Sequence, residues 1–223
     1  MTLEVDAWYL PDVAGVSYRI DHPKTTIVPN LVDAREKRLG YFHNASYFEL
    51  DGDDFEGIFR IGNTDPQVLA PYMESIRLDR LVHLPSDELV ARSIVTLARQ
   101  LDEMPDDNPV LRFRQRVDED LDWLRSAGME GFHRWAFGTF RQCGASAEVG
   151  GAYLEWLAQS SASFDDELKR SAGKLYEVAQ ACKSLEFQMA RLAHGRKVDI
   201  NPLFDRMAEY WSDVREALRR YVQ

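Results

Sequence analysis

The chain is poor in the features that mark several protein classes. Two cysteines among 223 residues, Cys143 and Cys182, make no disulfide scaffold, and their 39-residue separation is not the paired spacing of structural zinc. No stretch approaches the ~20 apolar residues of a membrane span. No basic segment followed by an apolar run opens the sequence, so a secretory leader is not expected. Positive charge is also scarce: 27 Lys and Arg face 37 Asp and Glu, a net charge of −10. Nucleic-acid and anionic-membrane surfaces are built from surplus Lys and Arg, so neither partner is expected. Internal repeats and low-complexity tracts are missing as well.

What is there suits a packed fold. Hydrophobic residues make up 45% of the chain and charged residues 29%, enough for a real core and unlike a disordered chain. The length fits one large domain or two small ones. A cytoplasmic protein with two reduced, mostly buried thiols is expected.

Two halves follow different periods. Residues 1–64 read as strands and turns. Thr2-Leu3-Glu4-Val5-Asp6-Ala7-Trp8-Tyr9 is rich in strand formers and stops at Leu10-Pro11-Asp12. A second strand fits Thr25-Thr26-Ile27-Val28, where Pro29 signals an edge, a bulge or an early end. Charged residues 32–37 then read as a hairpin connection to Leu39-Gly40-Tyr41-Phe42-His43-Asn44, which leads into Ser46-Tyr47-Phe48-Glu49-Leu50. Residues 65–85 form a bridge in which 72–78 can add one more strand.

Residues 86–223 read as helices. Pro85-Ser86 opens one that runs to about Glu103. Asn108-Pro109 and Asn201-Pro202 each place an N-cap before Pro at the first helical position, and Ser163 with Asp166 resembles a capping box. Leu168, Leu175, Val178, Cys182, Leu185, Met189 and Leu192 form one stripe, ended by His194-Gly195. Phe204, Met207, Trp211, Val214, Leu218 and Tyr221 form a second, predicting an antiparallel helical hairpin. The aromatic segment 132–140, followed by Gly144 and Gly150-Gly151, predicts close approach between elements. The expected class is α+β: a small, mainly antiparallel sheet followed by a helical domain.

Chemistry is most readable around His22 and Asn44. In an antiparallel pair the start of one strand lies beside the end of the next, which brings these two to one edge of the sheet. An amide or carboxylate beside a histidine fixes its tautomer and orients it as a general base. His43 points to the opposite strand face from Asn44, so only one of them can share a site with His22, and Asn44 is ranked first. No HxH or HxxxH spacing supports a metal site. Asp51, Asp53 and Asp54 suit helix capping before Phe55 better than a calcium loop, and Arg112, Arg114 and Arg116 read as a solvated face.

The segment Val5-Asp6-Ala7-Trp8-Tyr9-Leu10-Pro11-Asp12, then Tyr18, His22-Pro23-Lys24-Thr25-Thr26 and Leu39-Gly40-Tyr41-Phe42-His43-Asn44 resembles the bacterial domain of unknown function 1839 family. Gly131-Phe132-His133-Arg134-Trp135-Ala136-Phe137, through Tyr153-Leu154-Glu155-Trp156-Leu157, is similar to its helical part. That family resembles butirosin-type acyltransferases, whose first domain is similar to papain-like cysteine peptidases. The resemblance implies a papain-like half-sheet in which His22 is the base, Asn44 orients it, and Asp6, Tyr9, Tyr18 and Lys24 contact substrate. It implies (amino)acyl transfer to an amine from a carrier-protein thioester. The phosphopantetheine belongs to that carrier, and the chain itself needs no cofactor. The family order is Cys, His, then Asn or Asp, yet no cysteine precedes His22. The chain therefore reads as one whose cysteine-bearing first part is missing, and transfer by it is expected to be absent or slight. A cysteine hydrolase or peptidase of the same architecture, and a non-catalytic protein that docks a partner on its helical hairpin, are the alternatives. Self-association is compatible with each.

Overall fold

A computed structural model describes residues 1–65, 70–160 and 165–223. The chain divides into two compact units, Met1–His83 and Leu84–Gln223. Its class is α+β.

The first unit is built on five antiparallel strands: β1 (Thr2–Asp6), β2 (Lys24–Asp33), β3 (Arg38–His43), β4 (Ser46–Asp51) and β5 (Tyr72–Glu74), in the order β4-β3-β2-β1-β5. Strand alternation puts Leu3, Val5, Ile27, Leu39, Tyr41 and Leu50 on one buried face, which Leu10, Phe55 and Ile58 help to close. The last two belong to a short helix, α1 (Gly52–Ile58), which has Asp53 and Asp54 in its first turn. Asp51 stands at the N-cap position but makes no side-chain cap bond.

Two strand limits differ from the sequence expectation. β2 does not stop near Pro29; the register with β3 shifts between Pro29 and Leu31, and the strand runs on to Asp33. A bulge accommodates a residue with no N–H to give the ladder, so the proline is absorbed rather than terminating the strand. β1 ends earlier than expected, at Asp6, because the Asp6 carboxylate accepts the Trp8 N–H at 3.0 Å and turns residues Ala7–Tyr9 into a 3-10 helix.

The second unit is helical: α2 (Ser86–Glu103), α3 (Pro109–Ala136), a π-helical turn (Phe137–Arg141), α4 (Gln142–Gln159), α5 (Asp165–Ala193) and α6 (Asn201–Tyr221). α3 is kinked at Gly128. Asn108 caps it as expected, accepting the Val110 N–H at 3.0 Å, and its Nδ2 donates to the Ala208 carbonyl at 2.9 Å. The other expected Asn-Pro cap is shifted: Ile200 occupies the N-cap, and Asn201 is the first helical residue, its N–H bound by Asp199 at 3.0 Å. The capping box at Ser163 lies outside the described residues.

α5 ends where Gly195 takes φ 76°, a conformation that costs glycine least. The Gly195 N–H donates to Leu192 and the Arg196 N–H to Arg191, the paired bonds of a Schellman cap. α5 and α6 run antiparallel, since Lys174 pairs with Asp213 and Arg220 with Glu167. At Gly151 a Cβ would stand 2.8 Å from the Tyr176 ring, so a larger residue there would have to push that ring aside. The aromatic segment is core in part: Phe132 and Phe140 are buried with Phe204, Leu185 and Met189, whereas Phe137 is exposed. Arg112, Arg114 and Arg116 pair with Asp107, Asp205 and Asp120 at the surface, a solvated face as expected.

Candidate active site

The antiparallel pairing brings the end of β1, the start of β2 and the end of β3 to the same end of the sheet. Two histidine–carboxylate pairs are built there.

The first uses His22. Its Nδ1 lies 2.7 Å from Asp6 Oδ2, and its ring stacks on Trp8 at 4.4 Å between centroids and 4° between planes. The Asp6 side chain is 1% exposed and the His22 side chain 44%. Asp6 thus has one oxygen on the Trp8 N–H and the other on the imidazole. An ionised carboxylate only accepts, so Nδ1 carries the proton, and in the neutral imidazole Nε2 presents its lone pair. Nε2 has no side-chain partner among the described residues, and the ring stands half open to solvent. This is the geometry of a held, accessible general base.

Asn44 is not its partner. It occupies the turn between β3 and β4 at φ 52°, with its side chain exposed and making no hydrogen bond among the described residues. Asparagine is among the few residues that tolerate this conformation, so the position serves the hairpin. The carboxylate beside His22 is that of Asp6, expected as a substrate contact, rather than the Asn44 amide. The other expected contacts are also engaged within the protein. Lys24 pairs with Glu4 at 2.7 Å. The Tyr18 hydroxyl donates to Asp54 at 3.0 Å, and Arg19 bridges Asp54 to the face of Tyr9, 5.3 Å from its ring centre.

The second pair uses His43, the residue ranked below Asn44. Its Nδ1 lies 2.6 Å from Asp12 Oδ2, and its Nε2 lies 2.9 Å from Thr25 Oγ1. The Tyr41 hydroxyl donates to the other Asp12 oxygen at 2.5 Å. Burial first, and then the neighbouring Asp12 carboxylate, push the Tyr41 hydroxyl well above its ordinary range, so it remains a donor. The side chains of His43 and Asp12 are 5% and 2% exposed, whereas Thr25 is half-buried. The signal for His43 was available in the alternation Leu39, Tyr41, His43, which sets the imidazole on the core face. Asp12 reaches it from a 3-10 turn far away in sequence, and no local pattern announces that.

Cys143 and Cys182 belong to the helical unit; Cys143 is half-buried and Cys182 buried. Among the described residues no group of three or more His, Cys, Asp or Glu could hold a metal ion. No helix of the described residues is long and apolar enough to cross a membrane.

Fold and site together define a two-unit α+β protein with two histidine–carboxylate pairs at one end of an antiparallel sheet. Family models place the chain more narrowly. The DUF1839 N-terminal domain matches residues 1–78 and the DUF1839 C-terminal domain residues 86–220, so the chain belongs to the DUF1839 family. Comparisons with curated proteins and with solved structures returned no match.

Proposed function

We propose that the sheet unit is an acyl-transfer site in which His22 Nε2 takes the proton from an amine as that amine attacks an acyl thioester. The observation that carries the reading is the 2.7 Å contact between His22 Nδ1 and the buried Asp6 carboxylate, with the far nitrogen left accessible. Asp6 holds the tautomer and stabilises the imidazolium formed when Nε2 is protonated. The amine nitrogen bonds to the acyl carbon, the carbon–sulfur bond breaks, and the proton passes from Nε2 to the departing thiolate. No enzyme thiol enters this step. The choice of a carrier-bound thioester as donor comes from the resemblance to butirosin-type acyltransferases; the geometry contributes the base.

The test uses the N-acetylcysteamine thioester of acetate with ethanolamine as acceptor, following free thiol and amide. The full chain is expected to release thiol with amide formation at a slight rate, since no enzyme thiol assists. His22→Gln is expected to lower the rate by about 10²–10⁴-fold, the usual worth of a positioned general base. Absence of any release overturns the proposal; so does release that His22→Gln leaves intact.

A further inference from the structure

The His43 cluster has a donor on each side of its carboxylate and a hydroxyl on its far nitrogen. Asp12 accepts from Tyr41 on one oxygen and from His43 Nδ1 on the other, so Nδ1 carries the proton and Nε2 accepts from the Thr25 hydroxyl. Hydroxyl, imidazole and carboxylate then stand in line, with links of 2.9 and 2.6 Å. This is the arrangement by which a side-chain hydroxyl becomes a nucleophile, and such arrangements are recognised by geometry rather than by order in the chain. The burial of His43 and Asp12 keeps water from competing for the imidazole, while half-buried Thr25 opens the row toward solvent at the start of β2. A histidine needed only for packing would be satisfied by Asp12 and any donor. Here the donor on Nε2 is a hydroxyl at the rim, in the third position after His22.

We propose that Thr25 is a nucleophile that carries the acyl group as an ester, with His43 as its base and Asp12 as the residue that positions His43. The inference rests on the acyl-transfer reading above and adds a covalent step to it. Thr25 Oγ1 bonds to the thioester carbonyl carbon as its proton moves to His43 Nε2. The carbon–sulfur bond then breaks, and the proton on Nε2 goes to the departing thiolate. The products are an acyl ester of Thr25 and a free thiol. The amine that His22 deprotonates next attacks the ester, and the proton His22 takes returns through solvent to Thr25 Oγ1. The net products are amide and thiol.

The experiment incubates the full chain with the N-acetylcysteamine thioester of acetate, quenches it in acid and maps the peptides by mass spectrometry. An acetyl group is expected on the peptide containing Thr25. Without added amine it should persist, and in His22→Gln it should persist even when ethanolamine is present, because the release step has lost its base. Thr25→Ser keeps a hydroxyl and should still be acylated. Thr25→Val and His43→Gln should lose about 10²-fold or more of the acylation rate. Circular dichroism of each variant, with Thr25→Ser as the conservative control, separates loss of the nucleophile from loss of the fold. A Thr25 peptide that stays unmodified in wild type and in His22→Gln, while thiol release continues in Thr25→Val, overturns the nucleophile and leaves His22 acting alone. Neither adduct nor thiol release overturns both readings.

Discussion

The sheet unit and the helical unit fill their interiors differently. Among the described residues, Asp6, Ser17 and His43 are buried in the first, and Ser171 is the one buried polar residue in the second, which is the larger. The helical interior is Leu, Val, Ile, Ala, Met and Phe with Cys182, in two clusters, with bulky Phe140, Phe204 and Leu185 at under 2% exposure. A buried carboxylate or imidazole costs several kcal/mol unless it is paired. The sheet unit meets that cost with the Asp6–His22 and Asp12–His43 pairs. A fold that only needed stability would do as well with apolar residues there, so the difference separates a half built around paired titratable groups from a half that packs.

The strongest way to break this comparison is to open the apolar half. Phe204 is fully buried and touches Phe113 and Phe140 at 5.9 and 6.3 Å between ring centres. Phe204→Ala is expected to destabilise the helical unit by about 3–5 kcal/mol, the cost of a large core truncation. Urea unfolding followed by circular dichroism reads it. Amide exchange of β2 and β3 should stay as in the wild type, and if those strands lose protection together with α6, the two interiors are not separate.

A smaller change probes the polar half. Tyr41→Phe keeps the ring that packs in the sheet core and removes only the hydroxyl that donates to Asp12. A hydrogen bond to a charged group is worth about 1.5–3 kcal/mol, and the remaining oxygen is left buried and unpaired. Amide exchange of β3 should rise by the corresponding factor. An unchanged exchange rate would mean that the Asp12 network adds nothing to the sheet, and the contrast between the units would lose its energetic basis.

Local pattern carried much of the fold. Alternation located the strands, the three-and-four spacing located α2, α5 and α6, and the Asn108 and Gly195 caps lie where their residue types ask for them. Pro29 was legible as a disturbance, but whether it stops a strand or bulges it depends on what β3 offers opposite, which is not local. The site divides the same way. His22 was readable from its place before a strand. Its partner was not, because Asp6 lies across the sheet from the start of β2 and competes with Asn44, a residue of suitable chemistry that the turn uses for backbone conformation. His43 was seen as facing away from Asn44, but its value came only from Asp12 and Thr25, two residues that nothing in the linear pattern joins to it.

The smallest effect lies at a pair of thiols in the helical core. Cys143 on α4 and Cys182 on α5 are neighbours, not two unrelated thiols. A hydrogen bond from Cys182 holds the Cys143 thiol down at about 7, against the opposing effect of burial. The same contact, then burial, then the charge on Cys143, push Cys182 up. A depressed thiol is deprotonated above its midpoint, and the thiolate is the nucleophile, so alkylation must rise with pH through the neutral range. Cys143 lines an open cavity of about 400 Å³ with Phe113, Met207 and Trp211, which gives a small reagent access. Iodoacetamide labelling of Cys143 in the native chain should therefore have a midpoint near pH 7, with Cys182 unlabelled until the unit unfolds. Cys182→Ala removes the donor but keeps the burial, and should move the midpoint up to the ordinary thiol value of ~8.5 or beyond. A midpoint unmoved by that substitution would show that Cys143 owes its acidity to something other than its partner on α5, and that the helical interior holds an electrostatic influence the apolar clusters do not account for.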